Sequence, residues 1–251
     1  MNENGSAIPL YHLVEEDSGN VIITAHEING FFVESDSAES EEILIFGSAR
    51  GSVRLGKDLS DVELRVVNLA GEAIGSYYIG RVGLRSMFEG EGSAGRGGFI
   101  ATFYGYACPY AAAGAIWRQW ASGSPLVRGG WMEYPAESHD SWLHVVQNSW
   151  FETGRAAKRY GAGEICVIDG RRILDESSFY CELGESVNGP GGYFGSTLDG
   201  IADCLTFSRN ARAPFELVWE HSSGARERMG TSLAASAVGV LREFGVEVTL
   251  R

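Results

Sequence analysis

The sequence predicts an α+β chain in three parts. Residues 1–106 read as a mainly-β domain, a small barrel or sandwich. Residues 107–162 read as a helical, tryptophan-rich connecting segment, and 163–251 as an α/β domain with a small parallel three-stranded sheet. Three observations carry this reading. In the first part, short apolar or β-branched runs recur roughly every ten residues between Gly, Ser, Asn and acidic clusters, as in a meander closing on itself. In the middle, five of the six tryptophans fall between Trp117 and Trp150, several at helical spacing. In the last part, strand-like and helix-like runs alternate, and strands joined through helices imply parallel pairing with right-handed crossovers.

In chain order, the strand candidates are Val21–Ala25, Phe31–Glu34, Ile43–Phe46 and Val62–Val67. Asn68-Leu69-Ala70-Gly71-Glu72 then turns the chain into Ala73–Gly80, a hairpin signal. The acidic stretch Glu34–Glu42 reads as an exposed loop. Gly90-Glu91-Gly92-Ser93-Ala94-Gly95 matches GxGxxG in spelling only. The chain continues with Arg96-Gly97-Gly98 and the strand-like Phe99–Tyr104, not with the opening helix that a phosphate cradle needs, so a loop is expected. Helical patterns come next over Ala111–Trp120, over Ser138–Trp150 and over Arg155–Tyr160, the last with Gly161 as C-cap. Tryptophan stripes at this spacing read as core first, and as a docking surface second.

The last part opens with a strand at Ile165–Ile168 and a turn at Asp169-Gly170. Asp175 can cap a helix bearing Phe179, Leu183 and Val187. After Gly189-Pro190-Gly191-Gly192 a second helix begins, then a strand at Phe215–Trp219. A final helix is capped by Thr231 or Ser232, and the closing strand is Val246–Leu250.

Composition narrows the function. Lys+Arg 20 against Asp+Glu 33 give a formal net charge of -13, which disfavours direct nucleic-acid binding, since phosphate recognition runs on basic surface. The same charge would speed the approach of a basic protein. No apolar run reaches the roughly 18 residues that a membrane span needs. The N-terminus is polar, without the basic-then-apolar pattern of a signal peptide. Cys108, Cys166, Cys181 and Cys204 have no ligand spacing and read as small buried hydrophobes in a reducing, cytoplasmic setting. Cys108, His139, Asp140 and His144 are the materials of a nucleophile pair or a zinc site. The two histidines are five residues apart and share no helical face, so no catalytic residue, metal or cofactor is expected.

The most informative stretch is Tyr193-Phe194-Gly195-Ser196-Thr197-Leu198-Asp199-Gly200-Ile201-Ala202-Asp203-Cys204-Leu205-Thr206-Phe207. Ser196 or Thr197 is a suitable N-cap. With Ser196 in that role, Asp199 falls at the third helical position, as in a capping box. Leu198, Ile201, Ala202 and Leu205 share one face, while Asp199, Asp203 and Thr206 share another. Two carboxylates one turn apart repel, at a cost of a few tenths of a kcal/mol. Capping accounts for Asp199 but not for Asp203.

This stretch resembles the second helix of the barstar family, intracellular inhibitors of the ribonuclease barnase. The shared pattern is aromatic-aromatic-Gly-x-x-Leu-Asp-x-hydrophobic-x-Asp-Cys-Leu-Thr. The resemblance extends to Val167-Ile168-Asp169-Gly170, Phe215–Glu220, Val240-Leu241-Arg242-Glu243 and Val246–Leu250, the last third of the chain. It implies a non-enzymatic inhibitor or immunity protein for a ribonuclease or ribonuclease-like toxin, monomeric and paired one to one with a basic partner. By matching position, Asp203 is the main mimic of an RNA phosphate and Asp199 a second contact. Tyr193, Gly195 and Thr206 form the rim, and Glu243 is a distant acidic contact. The family carries an aromatic where this chain has Ala202 and an Asn where it has Thr197, which points to a target other than barnase. The alternative is an interaction module that keeps this scaffold for a non-nuclease partner.

Overall fold

A computed structural model of the chain describes residues 8–37, 42–50, 56, 58–87, 97–103, 105, 107–155, 164–207 and 215–251. The GxGxxG stretch, the helix expected over Arg155–Tyr160 and the centre of the acidic loop fall mainly outside those residues. The chain divides into two units, Met1–Ser124 and Pro125–Arg251. The segment read as a connector is shared between them.

The first unit is a closed six-stranded antiparallel barrel: β1 (Tyr11–Glu15), β2 (Asn20–Asn29), β3 (Glu42–Ala49), β4 (Asp58–Val67), β5 (Ala73–Ser86) and β6 (Gly97–Phe103). Around the barrel the order is β1-β2-β3-β6-β5-β4. Two three-stranded meanders therefore join edge to edge, through β1 with β4 and β3 with β6, and no edge is left open. Strand alternation does the rest: Val62, Leu64 and Val66 are buried, while Glu63 and Arg65 between them are half-buried and paired at 2.6 Å. The turn after β4 forms as expected, with Asn68 Oδ1 accepting the amides of Ala70 and Glu72.

Two strand expectations need correction. β1 is missing from them, although it completes the barrel. Phe31–Glu34 is not a strand; it makes only an isolated bridge from Phe32 to Cys108. The reason is aromatic packing. Phe31 and Phe32 lie edge to face at 5.0 Å and both pack on Tyr77, which outweighs continued strand pairing. The helix α1 (Ala113–Ala121) joins this cluster: its fully buried Trp117 donates Nε1–H to the Tyr77 hydroxyl at 2.7 Å.

In the second unit two short 3-10 turns, Gly130–Glu133 and Ala136–Ser138, lead into α2 (His139–Glu152), which packs on α3 (Glu176–Asn188). The parallel sheet β7 (Ile165–Asp169), β8 (Glu216–Glu220) and β9 (Glu247–Leu250) has the order of the sequence. Between β7 and β8 run α3 and α4 (Leu198–Phe207); between β8 and β9 run α5 (Ser222–Arg228) and α6 (Thr231–Glu243). Asp175 caps α3 as expected, in a capping box with Ser178. Phe179 of α3 stacks on Trp219 of β8 at 5.4 Å, both fully buried. Trp131 and Trp142 are buried too, in line with the core reading of the tryptophans.

Helix α5 is an addition to the expected elements, and neither Thr231 nor Ser232 caps α6. The helix starts one residue earlier, with Gly230 at the N-cap and no side-chain cap bond. That puts Thr231 at the first helical position, from which its hydroxyl does not reach the amides that an N-cap oxygen accepts.

Candidate functional site

The site is built on α4. Of its two open caps, the structure selects Thr197: the Thr197 Oγ1 accepts the Gly200 amide at 3.0 Å, and its carbonyl accepts the Ile201 amide at 3.0 Å. Asp199 is then the second helical residue, and the capping box expected with Ser196 does not form. The Ser196 hydroxyl points elsewhere, donating to Gln147 Oε1 of α2 at 3.1 Å. The apolar stripe holds the helix down: Ile201 and Leu205 are buried, Leu198 and Ala202 half-buried, and α4 packs on α6. Burying two such side chains contributes about 3–6 kcal/mol before entropy.

Beneath the first turn lies Gly195, buried with a backbone φ of +92°. A Cβ there would come within 2.6 Å of the Ile201 amide nitrogen. Glycine is needed both for the backbone angle and for the close approach. Tyr193, expected with Gly195 at the rim, is only 5 % exposed, so both lie beneath the helix and not on its open face. Its ring meets Phe151 at 5.6 Å and Trp150 at 6.5 Å, and its carbonyl accepts the Asn188 side-chain amide at 2.7 Å. Burial raises the Tyr193 hydroxyl pKa, a neighbouring Ser196 opposes that, and the charge of Asp203 adds to it.

On the outer face of α4, Asp199, Asp203 and Thr206 are all exposed. The Thr206 hydroxyl donates back to the Ala202 carbonyl at 2.8 Å. Neither Asp199 nor Asp203 makes a hydrogen bond or ion pair with a described residue. Glu243 is exposed at the end of α6, the helix that supports α4. Exposure and the lack of an ion pair with any described residue leave both carboxylates able to meet an external positive group.

A second set of acids does the opposite work. Glu182 and Glu185 of α3 are buried, and the segment before α2 closes over them. Glu182 accepts Arg128 Nη2 at 3.3 Å and the Asp169 amide at 3.2 Å, with Arg172 3.5 Å away. Glu185 accepts the amides of Gly129 at 2.6 Å and Gly191 at 3.1 Å. Burial raises its carboxyl pKa, and those two amides hold the rise back. These carboxylates fasten Arg128-Gly129 to the fold and are closed to a partner.

Of the residues weighed as a nucleophile pair or zinc site, Cys108 falls in one unit and His139, Asp140 and His144 in the other. Cys108 belongs to the first unit, where burial pushes its thiol up to about 12. His139 is buried against Trp131 at 4.9 Å, and burial lowers His144 to about 4. Among the described residues no group of three His, Cys, Asp or Glu could hold a metal ion, and no helix is long and apolar enough to cross a membrane.

Residues 164–249 match the family described as Barstar (barnase inhibitor). The barstar domain thus covers the three-stranded sheet and α3–α6, while α2 and the whole first unit lie outside it. No curated protein matches the chain. Two residues beside the site, Gln147 and Phe151 of α2, carry no signal in the sequence that would single them out. Both come from outside the barstar domain, and only the packing of α2 on its aromatic turn brings them there.

Proposed function

We propose that this chain is a proteinaceous inhibitor, an immunity protein, of a ribonuclease or ribonuclease-like toxin, and that helix carboxylates of its barstar domain block the phosphate-binding active site. One observation carries the reading: Asp199 and Asp203 stand one turn apart on the outer face of a pinned helix with no counter-charge among the described residues. Their mutual repulsion is a standing cost. A ribonuclease cleft, which gathers Arg, Lys and His around phosphate, would remove it.

In this mechanism Asp203 takes the place of an RNA phosphate and receives charge-assisted hydrogen bonds in a site emptied of water. Asp199 makes a second contact, Thr206 stands at the rim, and Glu243 is a distant acidic contact. Tyr193 and Gly195 act from beneath by fixing the angle at which α4 is presented. The net charge of -13 steers a basic partner in, so association slows as salt rises. The complex is one to one, forms in the cytoplasm, and involves no catalysis by this chain.

A second reading, an interaction module for a non-nuclease partner, draws on Ala202 and Thr197, where the chain departs from the family pattern. One experiment separates the two. Ribonuclease activity is titrated with the purified chain across a panel of small basic secreted ribonucleases, barnase included. Stoichiometric inhibition of one member, lost in Asp203→Ala, supports the inhibitor. If the wild-type chain inhibits none, the second reading replaces it.

A further inference from the structure

Phe151 is 64 % exposed one residue before the end of α2, a helix whose Trp142, Val145, Val146 and Trp150 are all buried. A lone exposed aromatic is ordinary on a protein surface. Phe151 is not alone. Its ring stands edge-on to Tyr193 at 5.6 Å, and the Tyr193 hydroxyl in turn lies against the first turn of α4, 3.5 Å from where a Cβ on Gly200 would sit. The Ser196–Gln147 hydrogen bond ties the residue before the α4 cap to α2 a second time. Phe151, the buried Tyr193 and the start of α4 are therefore joined by direct packing, all inside the second unit, with Phe151 the exposed member on α2.

We infer that the partner-binding face of this protein extends beyond the barstar domain onto α2, with Phe151 as an aromatic anchor beside the acidic patch of α4. The inference rests on the inhibitor reading for the identity of the occupant, a basic ribonuclease. Charge decides the chemistry of the contact. A protein drawn to Asp199 and Asp203 brings Arg and Lys to the rim of its cleft. A guanidinium or ammonium laid across the Phe151 ring is attracted by its face while its aliphatic stem covers the ring from water. The same helix end shows the chemistry within the chain, where the Arg155 guanidinium lies over the Trp150 ring at 5.7 Å. Because α2 is outside the matched span of 164–249, this contact would distinguish the present chain's partner from those that need the barstar domain alone.

The test compares wild type, Phe151→Ala, Phe151→Trp and Asp203→Ala for binding to the panel of basic ribonucleases by calorimetry, with circular dichroism as a check on folding. Expected are unchanged folding, a loss of about tenfold or more in affinity for Phe151→Ala, and affinity near wild type for Phe151→Trp. Affinity within about twofold of wild type for Phe151→Ala, beside a large loss for Asp203→Ala, overturns the extension and leaves the inhibitor reading standing. Loss for Phe151→Ala with none for Asp203→Ala supports the face but ends phosphate mimicry by Asp203. No binding by the wild-type chain to any member overturns both.

Discussion

Replacing Gly195 by alanine tests how α4 is held. An alanine Cβ would lie 2.6 Å from the Ile201 amide nitrogen, 2.8 Å from the Gly200 carbonyl carbon and 3.0 Å from Ile201 Cγ1. The first two are backbone of the helix itself and cannot swing aside, so the helix must move. The φ of +92° adds about 1–3 kcal/mol for a residue with a side chain. The forced repacking adds about another 1–3 kcal/mol. Gly230 supplies the control, since its φ is +94° and, among the described residues, no atom beyond its own stretch of chain lies within 4 Å of its would-be Cβ. Gly230→Ala should show the backbone cost alone. Urea denaturation followed by tryptophan fluorescence and far-ultraviolet circular dichroism measures both, fitted per unit because two units need not unfold together. The expectation is that Gly195→Ala loses clearly more stability than Gly230→Ala and inhibits its target less well, because Asp203 is displaced. Equal losses at the two glycines would refute the close-approach account of this turn.

Asp203→Ala should leave stability unchanged or slightly raised, since the carboxylate is exposed and relieving the repulsion with Asp199 gains a few tenths of a kcal/mol. Inhibition should fall by about 2 kcal/mol or more, some thirtyfold, read from the inhibition constant. His144 is expected to make the fold acid-sensitive. Its pKa lies at about 4 when folded, against 6.5, because burial disfavours the cation. The unfolded chain therefore takes up the proton first. The contribution is fully present above pH 6.5 and is lost as pH falls towards 4, about 3 kcal/mol in all at 1.36 kcal/mol per unit. His144→Gln should flatten the dependence of urea midpoint on pH across that window, and an unchanged slope would assign the acid sensitivity elsewhere. In the first unit, Tyr77→Phe leaves the buried Trp117 N–H without its acceptor and should lower stability by about 1–3 kcal/mol, visible as an earlier barrel transition.

Much of the barstar domain was legible because its signals are local, although α5 and the cap of α6 were not. Asp175 declares a helix start, and the Leu198–Thr206 pattern shows one apolar and one acidic face of a single helix. The alternation of strands and helices leaves few ways to order a small parallel sheet. Where a local choice had two near-equal answers, the sequence did not decide. Ser196 and Thr197 are both good caps, and only the acceptor offered by Gln147, 49 residues earlier, draws Ser196 away from the helix.

By itself, then, the sequence determined the periodic faces, the helix starts that carry their own partners, the acidic balance and the place of the two aspartates. Tertiary structure alone decided the closure of the barrel by β1 on β4 and β3 on β6, and the diversion of Phe31–Phe32 into an aromatic cluster. It also decided the burial of Glu182 and Glu185 beside the exposure of Asp199 and Asp203, and the arrival of Phe151 at the candidate face. The physical reason is range. A helix closes its hydrogen bonds within four residues, whereas strand pairing, ring packing and the desolvation of a carboxylate depend on groups that the chain brings back from tens of residues away.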